Sequence, residues 1–191
     1  MKATAGVLMA LLLISAGASA DAVNKRGAYM GGALGVTDLD DDGAFDGLDF
    51  DNSDAGVQIW GGYRFLRWFA VEGELAYLGN FTVSADGFES ANAEAYALTA
   101  NAVFILPFGQ SSWDIYGQLG LGGLAYSIDG PDSSDDGSQG VGTAGVGVRW
   151  TPSPTMTLSL GVDAYAWQED GYYETYDPSI TISKLGLQYN F

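Results

Sequence analysis

The sequence predicts an all-β protein, an eight-stranded antiparallel up-and-down transmembrane β-barrel. Three observations support this prediction. Segments of about ten residues alternate apolar with polar or small side chains. The connections between them alternate strictly between short and long. Acidic residues gather near the long connections, whereas many aromatic residues lie near the short ones.

The N-terminal residues predict an export signal that is removed. Lys2 is followed by a short apolar run from Ala5 to Ile14 and by Ala18-Ser19-Ala20, which has the pattern of a cleavage site. The apolar run is shorter than the roughly 20 residues that a membrane-spanning helix needs. We therefore expect residues 1–20 to be a signal peptide and residues 21–191 to form one barrel domain.

Eight strands are predicted, each with one apolar face. Strand seven shows the pattern, because Leu158, Leu160 and Val162 alternate with Ser159, Gly161 and other small or polar residues. The predicted strands are about 27–37, 55–65, 68–78, 93–105, 113–127, 140–151, 155–167 and 179–191.

The connections predict which face of each strand points outward. The short connections are Leu66-Arg67, Pro107 to Ser112 and Pro152 to Pro154. The long ones are about 38–54, 79–92, 128–139 and 168–178. They contain no Lys or Arg, and 19 of the 24 acidic residues lie in or beside them. A soluble sandwich gives no reason for one acidic end, so the apolar face is assigned to lipid.

Two groups of aromatic residues support the membrane assignment, because aromatic side chains favour the boundary between water and lipid. The group near the short turns is Phe65, Trp68, Phe69, Phe104, Phe108, Trp113, Trp150, Tyr189 and Phe191. The group on the loop side is Tyr77, Phe81, Tyr96, Tyr126, Trp167, Tyr172, Tyr173 and Tyr176.

The opposite parity predicts a polar lumen. An eight-stranded barrel is just wide enough for side chains to fill, and buried charges require partners. Tyr29, Trp60, Tyr116 and Tyr165 add bulk to the same space. A structural plug is favoured, with a gated ion path through rearranging Arg–Glu pairs as the alternative. The polar residues predicted to point inward are Gln58, Arg64, Glu72, Glu74, Asn101, Gln118, Arg149, Asp163, Lys184 and Gln188.

Ile180 and Ile182 do not fit this pattern, because they fall on the lumen parity of the last strand. Either a bulge near the loop end or a position above the membrane would explain them.

Composition excludes several classes of function. The chain has no histidine, so Ser–His and Asp–His chemistry cannot be built. Glu72 and Glu74 share a face, but we interpret them as ion-pair partners rather than a catalytic pair. The net charge of −17 makes nucleic acid an improbable partner. The sequence therefore predicts no enzyme and no catalytic, cofactor-binding or metal site.

One acidic stretch leaves a weaker possibility open. DLDDDGAFDGLD, residues 38–49, places Asp38, Asp40 and Asp42 at positions 1, 3 and 5, Gly43 at 6 and Asp49 at 12 of a calcium-loop pattern. The flanking segments are strands rather than helices, and Asp49 is shorter than the usual Glu. A solvated acidic loop is the default interpretation, with weak binding of a divalent cation such as calcium as the alternative.

The two ends of the mature chain resemble the OmpA-like family of small outer-membrane barrels. The ending Lys184-Leu-Gly186-Leu-Gln-Tyr189-Asn-Phe191 matches the C-terminal assembly pattern of bacterial outer-membrane proteins, and Gly27-Ala-Tyr-Met-Gly31 resembles the first strand. The resemblance implies short periplasmic turns and long extracellular loops. Some members also carry a peptidoglycan-binding domain, but the resemblance covers the barrel alone, so cell-wall anchoring is not expected.

The resemblance also implies a location and partners. We expect the protein in the bacterial outer membrane, in contact with lipid and lipopolysaccharide, and inserted by machinery that recognises the C-terminal strand ending at Phe191. A monomer is favoured.

The predicted function is a non-enzymatic structural role in envelope integrity or in presenting surface loops. The alternatives are a narrow channel or small-molecule passage, and adhesion through acidic and aromatic loops such as Trp167, Tyr172, Tyr173 and Tyr176. A passage would need an apolar lumen mouth, whereas the lumen parity is charged.

Overall fold

The computed structural model describes residues 26–40, 49–51, 53–84, 91–108, 112–129, 134–170, 175–176 and 178–191. The predicted signal peptide, residues 1–20, lies outside these ranges and stays a prediction. Within them, no helix is both long and apolar enough to cross a membrane.

Eight long strands form a closed antiparallel barrel, which confirms the predicted fold class. Each strand pairs with the next, and the last pairs with the first from Tyr29↔Asn190 to Asp40↔Ser179. The strands are β1 Gly27–Asp40, β2 Ser53–Leu66, β3 Phe69–Ser84, β4 Ala91–Pro107, β5 Trp113–Asp129, β6 Ser134–Ser153, β7 Met156–Ala166 and β8 Ser179–Asn190.

The strands run further toward the loop end than the sequence predicts. Residues 128–139 are predicted as a connection, but β5 extends to Asp129 and β6 begins at Ser134, paired as Asp129↔Ser134. Residues 79–84 and 91–92 likewise belong to β3 and β4. The two strands of a hairpin pair through their backbone N–H and C=O groups, and this pairing does not require apolar side chains. The ladder therefore continues beyond the point where the apolar alternation ends.

Three shorter strands lie at the loop end. Asp49–Asp51 pairs with the end of β3, from Asp49↔Ser84 to Asp51↔Thr82. Glu169–Asp170 pairs with Thr175–Tyr176 as a separate two-stranded sheet. At the opposite end, turns at Arg67–Trp68 and Pro154–Thr155 connect β2 to β3 and β6 to β7.

The outer surface is apolar, as the parity argument predicts. Leu121 is 77% exposed and Leu106 is 70% exposed, whereas the buried side chains point into the barrel. Such exposure of large apolar side chains is unfavourable in water and favourable against acyl chains. The lumen is therefore the core of this protein.

A β-bulge changes the parity of β3 near its loop end. The register with β4 shifts between Tyr77 and Gly79, and Gly79 has a φ of 114°, a conformation that favours glycine. The Asp54 carboxylate accepts a hydrogen bond from the backbone N–H of Asn80 at 2.6 Å. Beyond the bulge Phe81 faces inward and is 2% exposed. The sequence analysis counted Phe81 in the loop-side aromatic group at the boundary with lipid, and this placement was wrong.

Candidate functional site in the barrel lumen

The polar residues predicted to point inward do occupy the lumen. Nine of the ten are buried, and Arg64, near the turn end, is half-buried. Arg64 donates a hydrogen bond to the backbone carbonyl of Arg67 at 2.6 Å. Asp114, the acid expected nearer the rim, is also buried.

One charged cluster lies in the turn-end half of the lumen. The Arg149 guanidinium pairs with the Glu72 carboxylate at 3.2 Å, and the Tyr29 hydroxyl donates to the same carboxylate oxygen at 2.7 Å. The guanidinium also lies over the Tyr116 ring, 4.2 Å from its centroid. Both charges are thus paired, and an aromatic face covers the cation.

A second charged cluster lies closer to the loop end and joins four strands. Lys184 pairs with Asp163 and lies 3.9 Å from Glu74. The Tyr165 hydroxyl donates to Glu74 at 2.5 Å. The Gln58 amide donates to Tyr165 at 2.6 Å and to Asp163 at 3.2 Å. The interpretation of Glu72 and Glu74 as ion-pair partners agrees with these contacts, since each has its own cation and tyrosine.

An apolar layer lies at the loop end of the lumen. The expectation that the lumen parity is charged at its mouth was therefore wrong at this end. The side chains of this apolar cap are all buried, and Leu39 and Trp167 pack against them. The cap consists of Ala76, Leu78, Phe81, Ala95, Ala97, Leu124, Val141, Tyr165, Ile180 and Ile182.

Ile180 and Ile182 belong to the cap without any bulge in β8. The register of β8 is continuous with β1 and with β7, so the bulge considered from the sequence was wrong. Their presence on the lumen parity was the available sign of an apolar layer. The bulge in β3 concealed one further member, because Phe81 changes sides there.

Aromatic pairs surround the turn end of the barrel on its outer surface. The rings of Phe69 and Phe104 lie 5.7 Å apart, and those of Trp113 and Trp150 stack at 5.9 Å. Tyr189 and Phe191 meet edge to face at 5.1 Å. This arrangement agrees with the predicted turn-side aromatic group.

The loop-side aromatic residues are less uniform. Tyr77 and Tyr96 form an outer pair at 5.1 Å, whereas Trp167 is partly buried against the cap. Tyr172 and Tyr173, and the side chain of Tyr176, lie outside the described part of the chain. An adhesive patch built from them stays a prediction.

The predicted calcium loop is only described at its ends. Asp38 and Asp40 lie on extended β1, and Asp38 accepts a hydrogen bond from the Ser53 hydroxyl at 2.7 Å. Residues 41–48 lie outside the described ranges. In the ranges that are described, no group of three or more acidic side chains is placed to hold a metal ion. Divalent cation binding by residues 38–49 stays a prediction.

The closed barrel, its apolar outer surface and its packed interior define a β-barrel that spans a membrane. The model of the outer membrane protein beta-barrel domain matches residues 6–191. The chain belongs to this family, and it is an outer-membrane protein. No curated protein matches the sequence significantly.

Solved outer-membrane barrels share the fold at low sequence identity. Neisserial surface protein A superposes with a TM-score of 0.67 at 15% identity, covering 86% of this chain and 97% of that one. Ail, the attachment invasion locus protein of Yersinia pestis, gives 0.56 at 18% identity, with 86% and 99% covered. The outer-membrane protein OprG of Pseudomonas aeruginosa gives 0.52 at 17% identity, with 86% and 96% covered.

Proposed function

We propose that this protein is a non-enzymatic, sealed barrel that anchors and spaces its long loops at the cell surface and so contributes to envelope integrity. The observation that carries the proposal is the filled lumen. Two charged clusters and an apolar cap occupy successive layers of the barrel interior. A pathway for ions would have to cross the cap, whose described side chains are apolar apart from the Tyr165 hydroxyl, and that hydroxyl is already bonded to Glu74 and Gln58.

The composition of the chain and the contacts of its described glutamates support the non-enzymatic part of the proposal. The chain contains no histidine and no cysteine. The two most deeply placed glutamates are each engaged by a cation and a tyrosine hydroxyl. A general base must be able to reach a substrate proton, and these carboxylates lie in closed layers.

The turn-end contacts support recognition of the C-terminal strand by the insertion machinery. β8 closes the barrel by pairing with β1 along its length, and the Phe191 N–H donates to the Ala28 carbonyl at 3.1 Å. Phe191 also packs edge to face on Tyr189. A chain that lacks Phe191 should therefore refold in detergent yet assemble slowly in cells.

Conductance in planar bilayers tests the sealed barrel. We expect the purified protein to pass no steady current, and we expect Glu72→Ala to leave the apolar cap intact and the barrel closed. A substantial current through the wild-type protein, altered by Glu72→Ala, would favour the ion path and contradict the proposal.

Loss of the gene tests the envelope role. A strain without the protein should become more sensitive to detergents and large antibiotics, and the wild-type gene should restore resistance. A version with residues 169–177 replaced by a short Gly-Ser linker separates the contribution of the barrel from that of the last long loop. Rescue by this version would assign the effect to the barrel rather than to that loop.

A further inference from the structure

Beyond its last pairing with β7, strand β6 has an edge that pairs with no other strand in the described ranges. The β6–β7 ladder ends at Gly142↔Ala166, but β6 begins eight residues earlier, at Ser134. Over residues 134–141 β6 pairs only with β5, from Asp129↔Ser134 to Gly122↔Val141. At about 3.3 Å per residue, this edge is roughly 26 Å long. We call residues 134–141 the β6 edge.

The other side of the same projecting sheet is covered. There the end of β3 pairs with the short strand Asp49–Asp51, which satisfies backbone groups that β2 does not reach. The two-stranded sheet of Glu169–Asp170 and Thr175–Tyr176 pairs with itself and not with β6. Among the residues that the structure describes, one sheet edge is therefore covered and the other pairs with no strand.

Among the devices that usually protect an exposed edge, the β6 edge carries acidic charge. Exposed edges commonly carry charged side chains, especially Lys, or Pro or a bulge. Asp136 opposes the approach of another acidic strand but not of a cationic one. Residues 134–141, SDDGSQGV, contain neither Lys nor Pro, and their register with β5 shows no shift. Gly140 is exposed and has no side chain to hinder an approaching backbone.

Packing holds this edge in an extended conformation. The Tyr126 ring covers Gly137 so closely that a Cβ at position 137 would lie 2.2 Å from Tyr126 Cζ. Tyr126 and Gly137 are direct partners across the β5–β6 ladder. The edge is already extended in this structure, and a partner strand that finds it so loses less entropy on binding.

Charge determines which partner fits. Asp136 is exposed on the β6 edge, and the four long connections carry no Lys or Arg while 19 of the 24 acidic residues lie in or beside them. A second copy would bring like charges together across the new strand pair. A cationic strand would be attracted and would complete the ladder.

We propose that the β6 edge is a docking strand for an extended, cationic peptide segment of a partner at the cell surface, which binds by adding a strand to the sheet. Backbone hydrogen bonds to residues 134–141 supply most of the affinity, and the acidic rim selects a cationic sequence. The proposal extends the presentation role and rests on the loop end facing outward. It does not depend on whether the lumen conducts.

A pair of synthetic peptides tests strand addition against simple charge attraction. The probe is a capped octapeptide that alternates Lys with Thr and Val, and its control is the same peptide with every backbone nitrogen methylated. The two have equal charge, but the methylated one has no backbone N–H to donate to β6 from either edge. Binding is measured by fluorescence anisotropy on the full barrel in zwitterionic nanodiscs at about 0.15 M salt, where surface attraction alone is screened beyond roughly 8 Å.

We expect the unmodified peptide to bind at least about tenfold more tightly than the methylated one, which corresponds to about 1.4 kcal/mol of binding free energy. It should also slow amide hydrogen exchange within residues 136–141. Asp136→Asn should weaken binding several-fold, whereas Asp38→Asn, which removes the same charge from β1, should change it less.

Three outcomes would overturn the proposal. Equal binding of both peptides would show charge attraction without strand addition. Protection of amides elsewhere, with none in residues 136–141, would place the peptide at another site. A dimer that forms through this edge in nanodiscs without peptide would show that a second copy is the occupant.

Discussion

At the scale of single residues, the buried ion pairs determine how well the lumen tolerates change. Arg149 is 7% exposed and has Glu72 as its paired carboxylate. Removing one partner of such a pair leaves an uncompensated charge away from water, which costs more than the pair itself contributes.

Glu72→Ala should therefore lower the free energy of unfolding by about 3–5 kcal/mol. Denaturant titration of the barrel in lipid vesicles measures this change. Glu94→Ala is the matched control, because the hydrogen bonds described for Glu94 at the loop end are long, at 3.4 and 3.5 Å. We expect a loss within about 0.5 kcal/mol.

A double substitution separates charge from packing. Glu72→Leu with Arg149→Met removes both charges while keeping most of the volume, so it should recover a large part of the lost stability. If the double variant were as unstable as Glu72→Ala, the pair would matter for its hydrogen bonds and shape rather than for its charges.

At the scale of one element, the bulge in β3 determines which side chains reach the apolar cap. Gly79 needs a positive φ, and a Cβ there would lie 3.0 Å from Asp54 Cβ and 3.1 Å from the Thr37 hydroxyl oxygen. Gly79→Ala should cost roughly 1–3 kcal/mol, because strain and crowding act together.

Gly73→Ala provides the control on the same strand. A Cβ at Gly73 would meet nothing within 4 Å, and alanine restricts the unfolded chain, so stability should stay the same or rise by up to about 1 kcal/mol. Equal losses for the two variants in denaturant titration would show that the bulge has no special role.

The loop that follows β1 carries the remaining metal-binding prediction. If residues 38–49 bind a divalent cation, calorimetry on the refolded protein should show saturable heat with millimolar calcium, about the affinity range of extracellular calcium modules. Asp42→Asn should then reduce that heat. A flat titration would end the prediction of a specific site and leave a solvated acidic loop.

At the scale of the whole molecule, every other conclusion depends on the apolar face of the strands pointing toward lipid and the polar face pointing into the barrel. Leu121 is 77% exposed, yet in a bilayer it contacts acyl chains. Its substitution therefore distinguishes a membrane protein from a soluble one.

Leu121→Arg should destabilise the protein by about 2–4 kcal/mol in vesicles if this position lies near the bilayer midplane. Ser138→Arg, at an exposed position on the β6 edge, should change stability by no more than about 0.5 kcal/mol. If Leu121→Arg left the free energy of unfolding unchanged, the assignment of the apolar face to lipid would be contradicted.

The sequence by itself determined the number of strands, their alternating faces and the identity of the polar lumen residues. It could do so because a strand places successive side chains on opposite faces, and because lipid accepts only apolar side chains on one of them. Tyr29, Trp60 and Glu72 could thus be placed in the lumen from parity alone, and their burial confirms it.

Only the tertiary structure decided which lumen residues meet and where parity changes. The pairing of Arg149 with Glu72 depends on how β6 and β3 face each other across the closed barrel, which no local pattern encodes. The bulge at Tyr77–Gly79 inserts one residue and so moves Phe81 into the apolar cap. The alternation of side chains along the strand cannot assign faces beyond such an insertion, because every later residue changes sides. The free edge of β6 likewise depends on where β7 stops, and backbone pairing rather than side-chain pattern sets that point.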